Sequence, residues 1–176
     1  MPIWLRLVGI SQAVLGIVRG VVDFVAIVLL CVMTFLILFQ ILGRYVFNYS
    51  ISWSEEAAIF AQVWLVMLGA GIAMRNRHHV GVDFLIARCP PLVRQLARSA
   101  SFLLGVWFLI VVIVGSFSLI GIGFMLKSAA LQIPMAVPYF ALPVGMSYFL
   151  LEFAIAVLPE IRDPNRPSTV EEGVSE

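Results

Sequence analysis

Two pairs of adjacent ionisable residues are the first candidates for chemistry in this 176-residue sequence, Glu55-Glu56 and His78-His79. Paired carboxylates can serve as general acid and base, and paired imidazoles can hold a metal or a haem, provided that both side chains face one site. Neighbours on a helix point about 100° apart, so neither pair converges in this way. We expect a helix start at the glutamates, with one of them pairing to Arg44 across a turn, and a surface or subunit contact at the histidines.

Glu152 is the third candidate, because it interrupts an otherwise apolar stretch. An ionisable residue inside a membrane span marks a functional position by default, and it costs about 3 kcal/mol if unpaired at the bilayer centre. Two interpretations are open: a buried polar partner on another helix or subunit, or an interfacial carboxylate close to Pro159. The sequence contains no serine-histidine-aspartate set, phosphate loop or zinc motif. We expect no catalytic residue, no cofactor and no metal.

The composition indicates the class of protein that must position these residues. Hydrophobic residues make up 62% of the chain and charged residues only 12%, and the mean hydropathy is +1.06. A soluble domain is usually about 45–50% apolar and about 25% charged. The sequence therefore indicates an integral membrane protein. Its net charge of +1 provides no basic field for nucleic acid.

Four apolar stretches are long enough, as helices, to cross a hydrocarbon core of roughly 30 Å. We predict an all-α integral membrane protein with four transmembrane helices, at about residues 21–43, 54–74, 99–126 and 137–158. Ser54 can cap the second helix, and Pro143 would bend the fourth.

The segments outside the spans are shorter or more polar. We predict a short in-plane amphipathic segment at about residues 80–90, between the second and third spans. Residues 1–20 are expected to form an interfacial segment leading into the first span, with a cleaved signal peptide as the alternative. Residues 159–176 are polar and rich in proline and glutamate, and we expect a mobile tail.

The distribution of basic residues predicts the orientation. With four spans, the N-terminal segment, the loop between the second and third spans and the tail lie on one side. That side carries all of the 11 lysines and arginines except Arg44 and Lys127. The positive-inside rule then places both termini in the cytoplasm.

Four short motifs occur in order between these spans: GRYVF at 43–47, WSEE at 53–56, R-x-R-H-H-x-x-V-D at 75–83 and LQIPM with ALPVG within 131–145. Together they resemble the small membrane subunit (DctQ-like) of tripartite ATP-independent periplasmic (TRAP) transporters. The resemblance covers roughly residues 20–158.

The resemblance implies a scaffold subunit in the bacterial inner membrane. Such a subunit would brace a large permease subunit (DctM-like) for sodium-coupled uptake of an organic acid, which a periplasmic solute-binding protein delivers. Arg44, Trp53, Glu55 and Glu56 would organise the periplasmic end of this chain, and His79 and Asp83 would lie in the in-plane segment. The remaining positions that we expect in subunit or structural contacts are Tyr45, Pro134, Pro143 and Glu152.

Three other functions compete with this one. The first alternative is a membrane-anchor subunit of a respiratory, quinone-linked complex, although no span contains a histidine that could ligate haem. A lipid-modifying enzyme would need a polar cluster at the interface, and only Arg44, Glu55 and Glu56 come close to one. An independent solute channel would need spans that are less apolar than these.

The orientation is testable by cysteine labelling in intact cells. Single cysteines placed in residues 75–98 should resist a membrane-impermeant maleimide, because this arginine-rich segment lies in the cytoplasm. Cysteines placed in residues 44–56 should react. Labelling of the 75–98 segment from outside would contradict the arrangement.

Overall fold

The computed structural model describes residues 3–49, 51–76 and 91–162 of the chain. The predicted in-plane segment at 80–90, together with His79 and Asp83, lies outside the described residues. So does the part of the predicted tail that follows Arg162.

The described residues are almost entirely helical. The helices are α1 (Ile3–Tyr45), α2 (Ser52–Arg75), α3 (Pro91–Met125), α4 (Ala136–Tyr139) and α5 (Ala141–Arg162). Within these ranges the only extended pairing is an isolated bridge between Lys127 and Pro134. Four apolar segments are long enough to cross a membrane: Gln12–Tyr45, Ser52–Arg75, Gln95–Met125 and Ala136–Val157. The predicted all-α class with four such helices is confirmed.

The helix ends differ from the predicted spans for local reasons. Helix α1 continues without interruption from Ile3, so the segment before residue 21 is part of the same helix as the first span. Helix α3 begins at Pro91, where the missing N–H of proline is harmless because the first turn has no partner for it. Helix α5 extends to Arg162, beyond the predicted end at 158.

Pro143 accounts for the interruption between α4 and α5. Proline has no N–H, so the helical hydrogen bond to the carbonyl four residues earlier, that of Tyr139, cannot form. The regular helix is interrupted next to that carbonyl, at Phe140. The interruption is local, because the Phe140 N–H still donates to the Ala136 carbonyl at 2.9 Å.

The contacts divide the chain into two units. The first comprises the residues up to Val66 together with Ser128–Gln132, and the second comprises Met67–Lys127 and the residues from Ile133 onward. In the first unit, α1 and α2 are joined by a tight turn. The Tyr49 N–H donates to the Gly43 carbonyl at 3.0 Å, and Asn48 has a φ of 51°, a left-handed conformation that asparagine tolerates better than most residues.

Close approach of helices in the second unit depends on glycines. A Cβ added to Gly145 of α5 would lie 2.6 Å from the Met67 Cβ and 2.9 Å from the Met67 carbonyl carbon. A Cβ on Gly71 of α2 would overlap the Tyr148 ring, and one on Gly105 of α3 would lie 2.8 Å from Phe153. Small residues thus allow α2, α3 and α5 to pack closely, as is common between membrane helices.

Other glycines of these helices have no such neighbour. A Cβ on Gly69, Gly115 or Gly121 would have nothing within 4 Å in the described chain. The small residues therefore fall into two classes, those that the chain itself covers and those that it leaves open.

This difference yields a matched pair of variants. Gly145→Ala should lower the free energy of unfolding by about 1–3 kcal/mol, because the new methyl group overlaps the α2 backbone. Gly121→Ala should leave it unchanged or raise it by up to about 1 kcal/mol, because alanine is the better helix former and meets open space. Thermal unfolding of the purified chain in detergent measures both. Equal effects of the two substitutions would contradict the close contact.

Candidate functional site

The candidate site lies at the start of α2, where the motif residues converge. Helix α2 begins at Ser52, at the end of the short loop that follows α1. Ser54 is fully buried, at 0% exposure, and its hydroxyl donates to the Ile51 carbonyl at 2.8 Å. Ser54 is therefore not the helix cap that the sequence suggested: it lies inside the first turn and hydrogen-bonds backwards along the chain.

Glu56 accepts hydrogen bonds from three consecutive backbone amides of a distant turn. Its Oε2 accepts the N–H of Leu131 at 2.8 Å and that of Ala130 at 2.9 Å, and its Oε1 accepts the N–H of Ala129 at 3.2 Å. Successive N–H groups that point the same way form a concave donor site for an anion. Hydrogen bonds to an ionised acceptor are roughly twice as strong as neutral ones. We call Glu56 together with Ser128–Gln132 the Glu56 turn.

The backbone of this turn is held in a shape that presents the amides. Gln132 has a φ of 56°, the second left-handed residue among the non-glycine positions described. Its side-chain Nε2 donates to the Ala129 carbonyl at 3.0 Å, which closes the turn on itself. Ser128 is buried, whereas Ala129 and Ala130 are exposed. The turn is thus shielded from solvent at Ser128 and accessible to solvent at Ala129 and Ala130.

Glu55 has a different partner and corrects an expectation. Its Oε2 accepts a hydrogen bond at 3.0 Å from Nε2 of Gln40, so it connects α2 to α1. The ion pair that the sequence suggested between Arg44 and one of these glutamates is wrong for the described chain, where Arg44 is exposed and neither glutamate contacts it. The reason is that Glu56 is already occupied by amides, and Glu55 points along the helix face toward α1.

Aromatic residues surround this end of the first unit. Tyr45, the last residue of α1, is 80% exposed, and Val46, Phe47 and Tyr49 in the loop that follows are also exposed. Trp53 packs against Phe39 of α1 with ring centroids 6.3 Å apart. Amphipathic rings of tyrosine and tryptophan are typical of the membrane–water interface.

The other predicted positions that the structure describes belong to the second unit. Pro134 forms the isolated bridge with Lys127, and Pro143 is buried in α5. Glu152 is 1% exposed and takes part in an interaction. Its burial favours a polar partner over the interfacial carboxylate that was the other interpretation.

The second unit contains a cavity of about 270 Å³, lined only by apolar side chains. Ala70 of α2, Phe108 of α3 and Met146 of α5 contribute to its wall. Such a lining suits hydrocarbon and offers no hydrogen bond to a charged solute. The described residues also contain no group of three or more histidine, cysteine, aspartate or glutamate side chains that could hold a metal.

Comparison with known proteins identifies the family. The family model for tripartite ATP-independent periplasmic transporters, DctQ component, matches residues 33–163. The chain belongs to this DctQ family.

Individual relatives agree with this assignment. A C4-dicarboxylate TRAP transporter small permease protein DctQ from Vibrio cholerae is 28% identical over 69% of this chain and 62% of its own length. An isethionate TRAP transporter permease protein DctMQ from Oleidesulfovibrio alaskensis is 29% identical over 77% of this chain and 23% of its own. A sialic acid TRAP transporter permease protein SiaT from Haemophilus influenzae is 40% identical over 34% of this chain and 10% of its own. The chain thus spans less than two thirds of the Vibrio cholerae relative.

These similarities exclude the lipid-modifying enzyme. DctQ proteins are subunits of transporters, not enzymes, and the four apolar helices make this DctQ chain a multi-pass membrane protein. The competing assignment to a respiratory membrane anchor finds no support among these relatives.

Sequence reasoning missed three contributors to the site. Gln40 is an amide inside an apolar run, and that isolated polarity was the available signal. The amides of the Glu56 turn gave none, because every residue has a backbone N–H. The left-handed backbone at Gln132 also had no signal, since glutamine is not a residue that favours it.

The Glu56 turn of this DctQ protein can be tested by hydrogen exchange. Glu56→Gln should speed exchange of the Ala129–Leu131 amides by roughly tenfold or more, because a neutral amide accepts more weakly and cannot accept through its NH2 group. Glu55→Gln is the matched control: its acceptor serves only Gln40 in the described chain, so the same amides should keep their rates. Equal rates in the two variants would show that the carboxylate does not hold the turn.

Proposed function

We propose that this chain is the small scaffold subunit of a TRAP-type secondary transporter. In this role it braces the large permease subunit in the bilayer while that subunit moves the solute. The DctQ family match over most of the chain supports the role. Relatives named as DctMQ and SiaT permeases align with this chain over only 23% and 10% of their own lengths. This supports a large permease subunit as the partner.

The observation that carries the proposal is that the polar groups of the site bind the chain itself. Glu56 is occupied by three backbone amides and Glu55 by Gln40. The cavity in the second unit is apolar. A subunit that bound an anionic solute would instead need unoccupied donors or cations converging on a polar pocket. The chemistry of this chain suits a rigid support.

The transported solute is an organic acid in this proposal. The names of the relatives include a C4-dicarboxylate, sialic acid and isethionate, all of which are organic anions. The energy source would be a sodium gradient used by the large subunit, and a periplasmic solute-binding protein would deliver the solute. The protein would lie in the bacterial inner membrane with both termini in the cytoplasm, as the arginine distribution predicts.

Reconstitution tests the role directly. Proteoliposomes that contain the large permease subunit should take up solute in the presence of the binding protein and a sodium gradient only when this chain is included. Omission of the chain should reduce uptake to the background of empty liposomes. Full uptake without it would overturn the scaffold role.

A variant with both Glu55→Ala and Glu56→Ala separates support from solute capture. It should weaken co-purification with the large subunit, because the start of α2 loses both the Gln40 hydrogen bond and the Glu56 turn. The affinity of the separate binding protein for its solute should stay unchanged in a titration. A changed affinity of the binding protein for its solute would contradict the supporting role proposed for this end of the chain.

A further inference from the structure

Glu152 is the largest fully buried side chain in the described part of the chain, at 1% exposure. A carboxylate in such a place needs a cation or hydrogen-bond donors, because an isolated buried charge is strongly unfavourable. Nothing in the proposed scaffold role uses this residue. The packing of α2 against α5 indicates which element supplies its counter-charge.

Two contacts define the register of this packing. Gly145 of α5 lies against Met67 of α2, and Tyr148 of α5 lies against Gly71 of α2. Both numbers increase together from the first contact to the second, so the two helices run parallel here. Each step advances about one helical turn, or roughly 5 Å.

One further turn along the same seam reaches Glu152 on α5 and Arg75 on α2. Gly145, Tyr148 and Glu152 follow the i, i+3, i+7 spacing of a single helix face. Arg75 is the last residue of α2 and is half-buried. Both Arg75 and Glu152 take part in interactions.

We propose that Glu152 and Arg75 form a charge pair that closes the α2–α5 seam at the end of α2. The last carbonyls of α2 carry partial negative charge, and the carboxylate adds to it, so a cation at this position stabilises both. Arginine suits the position because its planar guanidinium keeps its charge and binds a carboxylate with two parallel hydrogen bonds.

Such a pair would determine the register of the two helices. A slip of one turn would bring the carboxylate level with Gly71, beside apolar surface, and leave it without its cation. This inference does not depend on the transport role.

A charge exchange in the full-length chain, purified in detergent and placed in lipid nanodiscs, tests the pair. Glu152→Gln and Arg75→Gln should each lower the midpoint of thermal unfolding by on the order of 5–10 °C. The exchange of Glu152→Arg with Arg75→Glu should recover more than half of the loss caused by either reversal alone. Lys127→Gln, which removes an exposed cation, is the control and should leave the midpoint unchanged. If the decreases in the unfolding midpoint caused by Glu152→Arg and Arg75→Glu simply add when the two are combined, the proposal is overturned.

Because a reversal at position 152 can prevent folding, a second measurement uses cross-linking. In a background with Cys31→Ser and Cys89→Ser, the combination of Arg75→Cys with Glu152→Cys should be joined by a short bifunctional thiol reagent, because an arginine–glutamate pair can span a wider gap than a disulfide. Arg75→Cys with Leu151→Cys is the matched control and should not, because Leu151 is an exposed neighbour on another face of α5. Equal cross-linking of both combinations, or none with position 152, would also overturn the pair.

Discussion

Hydrogen-bonding groups that have no partner within a helix must be satisfied elsewhere in the protein, and in this chain that constraint is met most clearly at Glu56. The turn after α3 has three successive N–H groups that no helix satisfies, and one carboxylate accepts all of them. A carboxylate in the first turn of a helix is also favoured by the helix dipole. The result is a fixed connection between parts of the chain that are 73 or more residues apart.

The same constraint explains how the remaining polar residues of the apolar helices are used. Ser54 and Ser116 donate to carbonyls three residues earlier, and Ser147 donates to one four residues earlier. Gln40 is satisfied by Glu55 on the neighbouring helix. These bonds join the named side chains to groups of the chain itself, which fits the proposed scaffold role.

Apolar packing adds a second level of specification. Gly71, Gly105 and Gly145 bring helices of the second unit into contact distances that no larger residue allows. Gly69, Gly115 and Gly121 have open space instead. The composition of a helix cannot distinguish these two groups, since both consist of glycines within apolar helices. What separates them is whether another helix passes over the residue.

The sequence by itself determined that the chain is helical, that it crosses a membrane four times and that it resembles the DctQ family. Those conclusions follow from the lengths of apolar runs and from short motifs, which are local properties. Only the tertiary structure decided the partners of the polar residues. Arg44 was an attractive partner for the glutamates because it is near in sequence and opposite in charge, yet amides of Ala129–Leu131 and the side chain of Gln40 occupy them. The reason is that hydrogen bonds depend on distance in space. Every residue except proline has a backbone N–H, and its residue type does not indicate where that N–H will point.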